Sequence, residues 1–264
     1  MLRAIRGGCG ASHPRGFRMS RPKGLEHWVV LIVRTRGEFQ IGEERFSVTP
    51  PQAILIAPGT PYSYENPEGE YLDDWLHFEA DEPLEARLAA MRNRPFPIGE
   101  AGLFTVCIQQ LIWELSYGEE PYASANRDAL AGVLLNRLCA AWEKRGAFGK
   151  NHPLEDRLRL LRLELESSVE RRHDAASHAR ELGLSASHFQ YLYRTLFGVP
   201  FRQDVIRMRV ERAKSLLATS ALPLSRIAEL CGYANEVHFY RQFRQATGMR
   251  PGAYRRSGGG GNDF

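Results

Sequence analysis

Between His27 and Phe78 the apolar residues fall in short runs, not at helical spacing. WVVLIVRTRGEFQI, ERFSVTP and AILIAPG are β-rich, and Gly37, Gly42, Pro50-Pro51 and Pro58-Gly59 punctuate them. TPYSYENPEGEYLDDWLHFEAD adds a turn-rich loop and a further aromatic strand. Short strands at this spacing predict a small antiparallel barrel or sandwich. From about Leu84 the period becomes helical. Leu103 to Tyr117 and Ala125 to Lys144 carry apolar residues three and four apart, as in Leu130, Leu134, Leu135 and Leu138. KRGAFGKNHPLED then reads as an interdomain linker, Leu158 to Arg256 reads helical throughout, and SGGGGNDF reads as a flexible tail. The pattern predicts a two-domain α+β chain: residues 1–148 as an antiparallel β-barrel with trailing helices, 149–156 as linker, 157–256 as an all-α domain and 257–264 as tail.

The helical part repeats itself. ARELGLSASHFQYLYRTLFGVPF (Ala179 to Phe201) and IAELCGYANEVHFYRQFRQATGMRP (Ile227 to Pro251) share one grammar. Each has a small helix, a glycine-centred turn, an aromatic-led helix carrying arginine, and a closing glycine. With Gly198 set on Gly248, Phe189 falls on Phe239, His188 on His238, Tyr193 on Phe243 and Arg194 on Arg244. Phe189, Leu192, Tyr193 and Leu196 form one apolar stripe, and Phe239, Phe243 and Ala246 the other, so both predict core. Glycine-centred turns between steeply crossing helices predict two helix-turn-helix units.

The opposite faces are polar: Ser187, His188, Gln190, Tyr191 and Arg194 in the first copy, Glu236, Val237, His238, Arg241 and Arg244 in the second. A recognition helix presents such N-terminal residues to base edges, with basic residues beyond them at phosphates. A single helix of this kind reads more readily as a solvated amphipathic helix; two copies at fixed spacing on the basic half reverse that balance in favour of DNA. Between them FRQDVIRMRVERAKSLL has an apolar stripe of Ile206, Val210, Ala213 and Leu217, which predicts a rigid connecting helix of about 24 Å. Charge agrees. Ala175 to Ser257 holds 13 Lys and Arg against 5 Asp and Glu, whereas residues 1–174 hold 22 against 25. A basic module joined to a near-neutral one is the footprint of a nucleic-acid reader attached to something else.

FRQDVIRMRVERAKSLL followed by PLSRIAELCGYANEVHFYRQFRQATGMRPGAYR resembles the double helix-turn-helix domain of the AraC/XylS family of bacterial transcription regulators. The likeness runs without gaps from about Phe189 to Arg255. His178 stands where that family has an apolar residue, which predicts a looser first unit or a part-exposed histidine. RPKGLEHWVVLIVRTRGEFQIGEERFSVTPPQAILIAPGTPYSYENPEGEYLDDWLHF resembles, more loosely, the cupin-like effector-binding and dimerising domain of the family. The resemblance implies a sugar-like effector held by Arg21, Tyr64 and Trp75, with Asp73 where an arabinose-binding member has histidine. The chemistry suits the role: a guanidinium fork and a phenol for hydroxyls, an indole face for sugar C–H groups. Trp75 as plain core and Arg21 as plain surface stay open. So does the helix Ala129 to Arg145: Leu130, Leu134, Leu135 and Leu138 read as domain core or, by the resemblance, as a homodimer interface. Leu2 to Phe17 reads as an arm over the pocket, by analogy, or as disorder.

Other chemistries find little support. Metal-binding barrels of this type need converging histidines; here TPYSYEN has tyrosines where an HxH is expected, and His27 and His77 are isolated in the strand region. No GxSxG, HExxH or P-loop is present. Cys9, Cys107, Cys139 and Cys231 form no CxxC, which predicts buried or idle thiols. No apolar run is long enough to span a membrane, and the N-terminus lacks the apolar stretch of a secretory signal. The expectation is a cytoplasmic regulator without cofactor or metal, whose partners are an operator duplex, a sugar-like effector, a second copy of itself and RNA polymerase. A carbohydrate-modifying enzyme with a DNA-binding tail is the alternative.

Overall fold

The computed structural model describes residues 1–146 and 152–257 and divides the chain into two compact units, Met1–Pro153 and Leu154–Phe264. In the first unit β1 (Leu2–His13), β2 (Arg18–Arg21), β3 (Trp28–Val33), β4 (Gly37–Ile41), β5 (Glu44–Val48), β6 (Gln52–Ile56), β7 (Tyr62–Glu65) and β8 (Tyr71–Ala80) precede a short helix, α1 (Glu82–Leu88). A small strand, β9 (Pro95–Pro97), and two longer helices, α2 (Gly102–Ser116) and α3 (Tyr122–Lys144), follow. All named strand pairs are antiparallel. They form a five-stranded sheet in the order β1-β8-β3-β6-β9 and a four-stranded sheet in the order β2-β7-β4-β5. The pairing among the described residues thus closes no ring of strands.

Strand periodicity explains the layering. Every residue of β3 is buried, because its two faces serve two cores. Val29, Leu31 and Val33 join Phe39, Ile41, Ile54, Ile56, Tyr62, Tyr64 and Tyr71 between the sheets. Trp28, Val30 and Ile32 join Leu55, Leu76 and Phe78 beneath the helices. Leu134, Leu135 and Leu138 belong to that second core, with Leu130 packed against it. These four were candidates for a dimer interface; the unit itself buries Leu134, Leu135 and Leu138 and leaves Leu130 partly exposed, since a sheet face of this size needs an apolar cover.

Leu2 to His13 is neither arm nor disorder. It is an edge strand paired along β8, with a bulge between Gly8 and Ala11. Its glycines fit a close approach: a Cβ on Gly8 would lie 2.6 Å from Trp75 Nε1, and one on Gly7 would lie 2.9 Å from the Trp75 carbonyl oxygen.

The second unit is helical: α4 (His152–Ser167), α5 (Ala175–Glu181), α6 (Ala186–Phe197), α7 (Phe201–Thr219), α8 (Leu224–Leu230), α9 (Glu236–Thr247) and α10 (Pro251–Arg256). Because α4 starts at His152, residues 152–156 are helix and not linker; a proline in the first turn gives up an N–H that has no intrahelical partner anyway. Linker residues 149–151 and tail residues 258–264 lie outside the described residues. One core gathers Leu158, Leu161, Leu165, Phe189, Tyr193 and Phe201, and a separate one gathers Val210, Ala213, Leu217, Ile227, Phe239 and Phe243. Leu196 and Ile206 pack at the edges of these cores, whereas Ala246 is exposed, one turn beyond the reach of the second core. His178 is buried, with Nδ1 3.2 Å from Glu181 Oε2 and its ring 5.7 Å from that of Phe201. The aromatic neighbours let a histidine occupy an apolar site.

Candidate nucleic-acid interface and effector site

Helices α6 and α9 are built alike. Ser185 caps α6 by accepting from His188 N at 3.2 Å, and Asn235 caps α9 by accepting from Val237 N at 2.7 Å. Each ends on a left-handed glycine, Gly198 at φ 72° and Gly248 at φ 74°. Phe189, Leu192 and Tyr193 anchor the first, Phe239 and Phe243 the second. All ten residues expected to meet DNA are exposed: Ser187, His188, Gln190, Tyr191 and Arg194 on α6, and Glu236, Val237, His238, Arg241 and Arg244 on α9. Val237 is 72% exposed and Tyr191 67%, although neither is charged. Arg241 Nη2 lies 3.2 Å from His238 Nδ1, which orients the guanidinium along the helix.

The two helices open on one cleft of about 930 Å³, which Gln190 lines from α6, His238 and Gln242 from α9, Arg202 from α7 and Arg172 from the segment before α5. Arg172 and Arg202 were not among the residues expected at the interface. Arg202 is visible in the sequence only as one of many arginines on α7, and Arg172 lies outside the repeat.

In the first unit the odd-numbered residues of β8 face the inter-sheet side. Asp73 is fully buried there. Tyr71 donates its hydroxyl to Asp73 Oδ2 at 3.0 Å, while Oδ1 is buried without a hydrogen-bond partner among the described residues. Burial pushes the Asp73 carboxyl up to about 7, and Asp74 adds to the rise, against the lowering by hydrogen bonds from Tyr71 and Tyr64. Tyr64 packs with its ring 4.7 Å from Tyr71 and 5.2 Å from Phe39, and burial, followed by the Asp73 charge, raises its phenol.

Trp75 is partly buried and packs against the same inter-sheet core. Arg6 Cζ lies 6.0 Å from the Trp75 ring, and Arg6 Nε donates to His77 Nδ1 at 3.4 Å. His27 Nε2 is 2.7 Å from the same His77 nitrogen. An Nδ1 that accepts from Arg6 carries no proton, so His27 is the donor of that pair. Burial, then Arg6, His27 and Arg21, hold His77 down to about 4. Arg21, at the end of β2, is partly exposed and hydrogen-bonds Tyr62, opposing the rise that burial imposes on that phenol. Arg21, Tyr64, Asp73 and Trp75 therefore share one neighbourhood. Arg6, His27, His77, Tyr62 and Tyr71 join it, and the sequence had marked none of these for it. Among the described residues no group of three His, Cys, Asp or Glu could hold a metal ion.

With both sites described, comparison with known proteins decides the family. A helix-turn-helix domain model matches residues 178–257, and the AraC-like ligand binding domain matches residues 9–138. The chain belongs to the AraC family. The arabinose operon regulatory protein of Salmonella typhimurium is 24% identical over 257 residues, covering 90% of this chain and 87% of that protein. Its Escherichia coli counterpart is 25% identical, covering 90% of this chain and 84% of that protein. The MmsAB operon regulatory protein of Pseudomonas aeruginosa is 24% identical, covering 94% and 81%. As an AraC-family member the chain is a DNA-binding transcription regulator with an N-terminal ligand-binding domain. No helix of the described residues is long and apolar enough to cross a membrane.

Proposed function

We propose that this regulator grips an operator twice, with α6 and α9 in successive major-groove segments, under control of a sugar-like effector held in the first unit. The observation that carries the DNA part is the shared cleft: two helices of matching build border one opening, which Gln190 lines from the first and His238 from the second. The 19-residue α7 gives a spacer of about 28 Å, of the same order as the ~34 Å repeat of duplex DNA. Gln190 and Arg241 read base edges, exposed Val237 suits a thymine methyl, and Arg194 and Arg244 meet phosphates. Selection from random duplexes followed by footprinting tests this. Two protected patches about one helical turn apart are expected, and a single patch would sink the double grip.

The sugar reading is supported by the orphaned Asp73 Oδ1, an acceptor waiting for a hydroxyl, beside the phenols of Tyr64 and Tyr71 and the indole of Trp75. The arabinose regulators among its relatives favour the same class. Regulation rather than turnover follows from this reading: the protein works as a cytoplasmic homodimer that presents its clamps to RNA polymerase. The dimer surface is the exposed stripe formed by Val106 and Trp113 of α2 and Tyr117 at its C-cap, which are 56%, 59% and 71% exposed. Sedimentation of Trp113→Ser as a monomer, against a wild-type dimer, is the expected result.

A further inference from the structure

Gly183 and Gly198 in the first helix-turn-helix, and Gly232 and Gly248 in the second, all take left-handed φ values, between 71° and 75°. At three of them a Cβ would meet nothing within 4 Å, so backbone conformation alone accounts for the glycine. Gly232 differs. A Cβ there would lie 2.6 Å from the Val169 carbonyl oxygen and 2.8 Å from Arg209 Nη2. Val169 belongs to the core of the first half, whereas Gly232 lies between α8 and α9 of the second. Gly232 is therefore a point of close approach between the halves as well as a turn.

Arg209, on α7, completes the contact. Its Nε donates to the Val169 carbonyl at 3.1 Å, its Nη2 donates to the Arg171 carbonyl at 2.9 Å, and its Cζ lies 5.5 Å from the Tyr233 ring. Tyr233 is part of the second core. One half-buried guanidinium thus holds two backbone carbonyls just beyond α4 and stacks on the first residue after Gly232. A planar fork can do all three at once, and the single ammonium of a lysine cannot. The two cores are separate clusters, so α7 by itself would leave each half free to repack around its own end of that helix.

We propose that Arg209 is a positioning residue: the Val169–Arg209–Gly232 contact locks one helix-turn-helix against the other and so sets the spacing and angle between α6 and α9. The proposal rests on the two-groove reading above, and its test separates the two. Spin labels at Thr195→Cys and Gln245→Cys, both exposed positions, would report the α6-to-α9 distance in the full chain, with Cys9→Ser removing the part-exposed thiol. One narrow distance is expected for the wild type. Arg209→Met should broaden or shift it with helix content unchanged, and Arg209→Lys should lie between. Should Arg209→Met fail to fold, Arg209→Lys alone decides.

On a duplex selected from a random pool, inserting one base pair between the halves turns them by about 35° relative to each other. That insertion should weaken the wild type about tenfold, and Arg209→Met far less, as the loss of one specific base contact would scale. Unchanged distances in a folded Arg209 variant overturn the lock, and an equal affinity loss on every duplex would make Arg209 a phosphate contact instead. Altered distances together with a single footprint leave the lock standing and remove the two-groove reading.

Discussion

Asp73 and Asp74 are adjacent on β8 and both fully buried, yet they face opposite sides of one sheet and are satisfied unequally. Asp74 receives Thr105 Oγ1 at 2.5 Å and Gly10 N at 2.7 Å, with Arg34 at 3.5 Å. Asp73 receives Tyr71 Oη at 3.0 Å and a further hydrogen bond from Tyr64, and it keeps Oδ1 without a partner among the described residues. The first is structural and the second is a buried acceptor in reserve, held next to the residues expected to hold a ligand.

That inequality has a pH signature. The Asp73 carboxyl is raised to about 7, so the folded unit keeps a proton that the unfolded chain has lost; its contribution is present below the unfolded pKa and fades as pH rises toward 7. His77 is lowered to about 4, so its contribution is present above its unfolded value of about 6.5 and fades as pH falls toward 4. Between pH 4 and 6.5 the two slopes oppose. Asp73→Asn should therefore uncover stability that rises with pH in that window, and His77→Asn stability that falls, by up to about 1.4 kcal/mol per pH unit. Urea denaturation followed by tryptophan fluorescence reads this unit alone, because Trp28, Trp75, Trp113 and Trp142 all lie in it. Parallel profiles for the two variants would refute the assignment.

The second unit has a buried carboxylate of the opposite kind. Asp204 is fully buried on α7 and accepts from Tyr193 Oη at 2.9 Å, Arg162 Nε at 2.8 Å and Arg207 Nη2 at 2.6 Å. Burial would raise it, but the hydrogen bonds from Arg162, Arg207 and Tyr193 outweigh burial and hold it below the usual range. Its contribution is present above the unfolded pKa and is lost as pH falls. Asp204→Ala leaves the Tyr193 hydroxyl unpartnered inside the core and should cost about 3 kcal/mol. Far-UV circular dichroism in urea, where the all-helical unit dominates, should show the earlier midpoint.

Contacts to bases and to phosphates part in their salt and sequence dependence. Gln190→Ala and Arg241→Ala should each lose about 1–3 kcal/mol on the selected duplex and little on random DNA. Arg194→Ala should weaken both about equally and reduce the salt slope by about one. Fluorescence anisotropy across a salt series distinguishes them, and a loss at Arg194 confined to one sequence would place it at a base.

The double helix-turn-helix was legible in the sequence because its signals are local: a repeated turn glycine, closing glycines at Gly198 and Gly248, and aromatic stripes at helical spacing. What failed was information carried by tertiary packing. Leu2 to Phe17, with its glycines, read as an arm or as disorder, but β8 and Trp75 make a strand of Leu2 to His13 by pairing and close approach. The leucines of α3 showed an apolar face without showing what covers it; Leu134, Leu135 and Leu138 are packed into the core of their own unit, and Leu130 lies at its edge. His178 broke the apolar pattern and was accommodated by aromatic rings. In the inter-sheet neighbourhood Asp73 and Trp75 were expected together by position. The alternation of Tyr71, Asp73, Trp75 and His77 on one face would have been enough to add Tyr71 and His77 to the group.

The effector itself is the most direct test of the first unit. A ligand that binds only the folded state stabilises it by about 2.7 kcal/mol at a hundredfold over its Kd, which a thermal-shift panel of pentoses, hexoses and sugar acids would read. Asp73→Asn keeps the size of the side chain but replaces a carboxyl that titrates at about 7 by an amide that never ionises, so a hydroxyl donated to Oδ1 loses the partner that is strongest once the carboxyl is charged, while stacking on Trp75 survives. The shift should shrink in Asp73→Asn and vanish in Trp75→Ala. Tyr64→Phe, which removes one phenol from the Asp73 carboxyl and keeps the ring packed on Phe39 and Tyr71, should fall between. A ligand whose shift survives in all three variants binds elsewhere, and the inter-sheet site would then be core alone.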